Sequence, residues 1–94
     1  MTLTLAEKPH PRELPPFCAA ALARLNQGEA LRIDAMQVAQ LPLAWIQALV
    51  AASREAEQRG QGVTIINPSF AFLFSFEAIG LQPENGLFTL EYAQ

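Results

Sequence analysis

Apolar side chains in this sequence recur now every second residue, now every third or fourth, as strands alternating with helices require. Thr2-Leu3-Thr4-Leu5 alternates and reads as a short strand. Lys8-Pro9-His10-Pro11-Arg12 continues neither a strand nor a helix, because its prolines remove donors and restrict their neighbours. Pro15-Pro16 then opens a helix predicted over Phe17–Gln27, with Cys18, Ala21, Leu22 and Leu25 as its buried stripe and Gly28 as its stop. Ala30–Ala35 is the second strand. The main helix is predicted over Pro42–Arg59, with Pro42 at the first helical position and Ile46, Leu49, Val50 and Ser53 facing inward. Gly60 and Gly62 end it. Val63–Ile66 is short and almost continuously apolar, as a strand buried on both faces would be. Leu87–Tyr92 alternates after an Asn85-Gly86 turn and reads as an edge strand.

Between the last two strands the local signals conflict. Phe70, Phe72, Phe74 and Phe76 alternate like a strand, yet Asn67-Pro68 or Ser69 makes a good helix start and Gly80 a good stop. The rhythm of the preceding chain favours a helix, whose phenylalanines would then occupy more than one face. The resulting order, β-α-β-α-β-α-β, predicts an α/β fold with a largely parallel sheet and right-handed crossovers.

The start of the main helix is unusual. Free N–H groups at a helix start commonly meet a Ser, Thr, Asp or Asn side chain. Here the chain offers Gln40-Leu41-Pro42-Leu43-Ala44-Trp45, and no Ser, Thr or Tyr stands anywhere from Met36 to Ala52. Leu43 either extends the core stripe or stays outside it, and Trp45 is either core or the anchor of a partner.

Composition narrows the function. Ninety-four residues, 51% of them hydrophobic, suffice for one domain with its own core. The one cysteine cannot form an internal disulfide, no signal peptide opens the sequence, and the apolar run Leu41–Ala52 is too short to span a bilayer, so a cytoplasmic protein is expected. The net charge of −3 and six scattered basic residues argue against nucleic acid and anionic lipid as partners. Catalysis finds little support: His10 and Cys18 stand apart, Gly60-Gln61-Gly62 precedes a strand instead of opening a helix, and Glu55 and Glu57 lie on different helix faces. His10 has no companion at metal-ligand spacing. No catalytic residue, metal or cofactor is assigned.

Three stretches resemble a known family. "ALRIDAMQV" is similar to the second-strand signature of STAS domains, the anti-sigma factor antagonist family; "IQALVAASREAEQRG" is similar to the helix that follows it; "VTIINPSFAFLFSFEAIGL" is similar to the next strand, its Asn-Pro-Ser turn and the succeeding helix. The resemblance covers about Gly28 to Leu81 and implies a small βα sandwich. In the family the helix start reads Asp-Ser-Ala-Gly-Leu or Asp-Thr-Ala-Gly-Leu. Counted back from Gly60, that stretch falls on Pro42-Leu43-Ala44-Trp45-Ile46, so the phosphorylated hydroxyl is replaced by Leu43.

The resemblance implies a non-catalytic protein-interaction module of bacterial regulation that docks constitutively, on an anti-sigma kinase, a chemotaxis or signalling assembly, or the ATPase of a lipid transporter. A second copy of the chain is a further candidate partner. The alternative is a small-ligand domain, for nucleotide or lipid, or an accessory subunit of a lipid-transport ATPase. The expected contact residues are Asp34, Gln40, Leu41, Pro42, Leu43, Trp45, Asn67, Ser69 and Phe70. For Asp34 the competing role is a loop cap; for Asn67 and Ser69 it is capping the third helix.

Overall fold

The computed structural model describes residues 2–92. Its strands are β1 (Leu3–Thr4), β2 (Leu31–Asp34), β3 (Val63–Ile66) and β4 (Thr89–Glu91). They alternate with α1 (Leu14–Asn26), α2 (Leu43–Gln58) and α3 (Phe70–Glu77), and a short 3-10 turn at Pro11–Glu13 leads into α1. The four strands form one all-parallel sheet in the spatial order β1-β2-β3-β4. The predicted β-α-β-α-β-α-β order is therefore the observed one, and the phenylalanine segment is a helix. No helix among the described residues is long and apolar enough to cross a membrane.

Register explains the core. Leu3, Ile33, Ile65 and Leu90 stand side by side across the four strands, and Leu31 pairs with Val63. These side chains meet the helices, and Leu31, Ile33 and Ile65 are fully buried. The opposite face carries Thr4, Arg32, Asp34, Thr64, Ile66, Thr89 and Glu91, half-buried or exposed. The sheet is thus covered on one side, which corrects the expectation that β3 is buried on both: only Val63 and Ile65 are, while Thr64 and Ile66 are partly open. Arg32 and Glu91 bridge the open face from β2 to β4 at 2.9 Å.

Helix α1 begins three residues before its predicted start. Pro15 and Pro16 sit inside its first turn, where the missing N–H groups had no acceptor to lose. Its buried stripe shifts accordingly. Phe17 lies edge-on to Trp45 with centroids 5.0 Å apart, and Ala21 and Leu25 follow at four-residue steps into the core. Cys18 and Leu22, assigned to the stripe by sequence, are exposed because they stand one residue out of that phase.

Candidate docking surface at the helix starts

Helices α2 and α3 both follow strands whose ends are in register, Asp34 beside Ile66, so they start along one edge of the sheet. Pro42 precedes α2 as its cap instead of forming its first residue. Its extended backbone aims its carbonyl at the helix, where it accepts from the N–H groups of Trp45 (2.9 Å) and Ile46 (3.1 Å). Pro42 has no side-chain acceptor, so no side chain caps this helix. A hydroxyl is dispensable there because Leu43 and Ala44, whose N–H groups remain, are exposed to water.

Trp45 is 2% exposed: its ring packs on Phe17, and its indole N–H donates to the His10 carbonyl at 3.3 Å. Leu41 is likewise buried in the core. Neither side chain can anchor a partner, which corrects the contact set expected from sequence. The helical phase accounts for Trp45, since it lies one turn before Leu49 on the inward stripe.

The remaining residues divide in two. Asp34, Asn67 and Ser69 shape the edge from within. The Asp34 carboxylate accepts from the Met36 N–H at 2.9 Å and turns the chain out of β2. Asn67 adopts a positive φ of 49° and its N–H donates to the Glu91 carbonyl at 2.7 Å. Ser69 caps α3 by accepting from the Phe72 N–H (3.0 Å) while its hydroxyl donates to the Val38 carbonyl (2.6 Å). Ser69 thereby ties the loop after β2 to α3.

Outward from this frame stand Gln40, Leu43 and Phe70, with Pro42 half-exposed. Leu43 is 56% exposed and Phe70 81%. Sequence reasoning left out two further members, Met36 and Ile79, both about as exposed as Leu43. Met36 follows the Asp34 turn and Ile79 the end of α3, so periodicity gave no face to either. Phe74 stacks on Phe70 with centroids 6.0 Å apart and completes the patch. A shallow groove of about 340 Å³ runs beside α2, walled by Leu43, Val50, Arg54, Ile79 and Leu81.

Around the starts of α2 and α3 the sequence is uncharged, with no Asp, Glu, Lys or Arg from Ala35 to Ser53 or from Gly60 to Phe76; Arg54 and Glu77 stand just beyond these stretches. An exposed, uncharged cluster of large apolar side chains is the usual mark of a protein-contact surface. Among the described residues no three His, Cys, Asp or Glu side chains converge as a metal site would need.

A protein-family model described as "Mlab, STAS domain" matches residues 1–89. This chain belongs to that family, the MlaB-like STAS domains. No curated protein sequence matches the chain. Domains of this type are small non-catalytic partner modules, for example of lipid-transport ABC ATPases. The resemblance read from "ALRIDAMQV" and the two stretches after it is thus the family relationship, and the MlaB-like branch brings the transporter-subunit alternative to the front.

Proposed function

We propose that the chain is the accessory subunit of a lipid-transport ATPase and docks on it through Met36, Leu43, Phe70 and Phe74, with Gln40 and Pro42 at the rim. The observation that carries this reading is the uncharged apolar patch at the starts of α2 and α3, in a member of a family of ATPase-associated modules. Burying a large aromatic side chain at an interface contributes strongly to affinity, and Phe70 is almost wholly available for it. Asp34, Asn67 and Ser69 act indirectly, by holding the loop and the start of α3 in place.

Docking is constitutive in this reading. A phosphate at a helix start is favoured by the dipole and the free N–H groups, but at the start of α2 the Leu43 side chain has no hydroxyl to carry one. The nearby Ser69 hydroxyl is engaged with both Val38 and Phe72.

The test is co-expression of the tagged chain with a lipid-transporter ATPase of the same organism, followed by purification of the complex. The two are expected to purify as a stable pair, and Leu43→Glu and Phe70→Glu are expected to break it without lowering the melting temperature of the isolated chain. Retention of the ATPase by both variants would reject the surface. Failure of the unaltered chain to hold the ATPase would reject the partner.

A further inference from the structure

A second property emerges from the outer side of the helical layer. On α3, Phe70, Phe74 and Glu77 are spaced by four and three residues, share one exposed face, and point away from the buried Phe72 and Phe76. On α2, Leu43, Gln47, Val50 and Arg54 share the flank that borders the groove. One element offers two aromatic rings followed by a carboxylate. The other offers an apolar trough followed by a guanidinium. Among the described residues neither the Glu77 carboxylate nor the Arg54 guanidinium forms a side-chain hydrogen bond or ion pair. On α2 itself, Glu55 pairs with Arg59 at 3.2 Å, and Glu57 forms no ion pair with Arg54.

We infer that two copies of this chain pair face to face through α2 and α3. Phe70 and Phe74 of each fill the trough of the other, and Glu77 of each meets Arg54 of the other. A two-fold axis running along the helices, between α2 and α3, preserves helix direction and exchanges their sideways positions. It therefore lays α3 of one copy over α2 of the other, twice, in a closed isologous contact.

Leu43 and Phe70 are the first residues of helices that follow strands ending in register, Asp34 beside Ile66. Glu77 lies seven residues past Phe70, as Val50 does past Leu43, about 10.5 Å along each helix axis. Arg54 stands four residues, about 6 Å, further on. Long helical side chains lean toward the helix N-terminus, which brings the Arg54 guanidinium back toward that carboxylate.

Leu43 and Phe70 belong both to this contact and to the proposed ATPase-docking patch. Pairing would therefore cover the apolar side chains of the free protein and has to open before the partner docks. The two ideas are tested separately, because the following measurement contains no ATPase and its failure leaves the docking reading standing.

Sedimentation equilibrium of the full chain, up to about 1 mM where even a weak millimolar dimer is substantially formed, reads the association directly. A monomer–dimer equilibrium is expected for the native protein, and a monomer throughout for Phe74→Glu, with circular dichroism confirming that the variant is folded. Arg54→Glu and Glu77→Arg are each expected to weaken the dimer at least about tenfold by setting like charges together, and the double exchange to restore it. A native chain that stays monomeric at the highest concentration overturns the inference. So does a folded Phe74→Glu variant that still dimerises, or a double exchange no stronger than the single ones.

Discussion

Helix α3 carries two pairs of phenylalanines with identical spacing and opposite surroundings. Phe72 and Phe76 are fully buried and form an aromatic cluster with Phe88, at centroid distances of 5.1, 5.5 and 6.5 Å. Phe70 and Phe74 stack on each other outside, with most of their surface in water. The sheet repeats the contrast, with buried aliphatic side chains on its helix-covered face and mostly polar ones, among them the Arg32–Glu91 pair, on the other. Residue type alone therefore does not tell fold from function here. The inner pair is explained by folding; the outer pair does not support the core, and the contacts proposed above are what would give it a role.

The contrast can be broken most severely from inside. Phe72→Ala or Phe76→Ala is expected to cost about 3–5 kcal/mol, read from urea unfolding, because each opens a cavity beneath the whole of α3. Trp45→Ala belongs in the same range, with the added loss of the indole bond to His10. A loss below about 1 kcal/mol at Trp45 would show that its ring contributes little to the core. Ser69→Ala removes the cap of α3 and is expected to cost about 1 kcal/mol, accompanied by faster amide exchange around Val38, whose carbonyl it holds.

From outside the effects shrink. Phe70→Ala and Phe74→Ala are expected to change unfolding free energy by no more than about 0.5 kcal/mol in either direction, while affecting association. The smallest effect lies on the open sheet face. The hydrogen bond and the charge of Arg32 hold the Glu91 carboxyl below its ordinary range. A lowered acid contributes stability above that ordinary range and loses it as pH falls through its folded value. Melting curves of the native chain and Glu91→Gln are therefore expected to differ slightly at neutral pH and to converge in acid, with added salt shrinking the difference, since the pair is about half exposed.

The element order was legible because it rests on periodicity, and even the alternating phenylalanines yielded to the surrounding rhythm. Their alternation has a helical meaning: two residues turn an α-helix by about 200°, so steps of two fall on nearly opposite sides. A strand and a two-sided aromatic helix share that signature, and only context separates them. What the sequence hid was phase. In α1, starting the helix at Leu14 and seating Phe17 on Trp45 moved Cys18 and Leu22 out to the surface. At the start of α2, adjacent apolar residues met opposite fates, since Leu41 and Trp45 point inward and Leu43 outward. A run of apolar letters carries no record of which of its members turns toward water. Met36 was illegible for a related reason, its position depending on the turn that the Asp34 carboxylate closes.

The spatial sequence of strands equals their sequence along the chain. No strand has to be threaded between two that have already joined. Each new strand meets the free edge left by its predecessor, and its helix then seals the pair against water. During synthesis, when the amino-terminal part is available first, the sheet can be laid down row by row as the polypeptide leaves the ribosome.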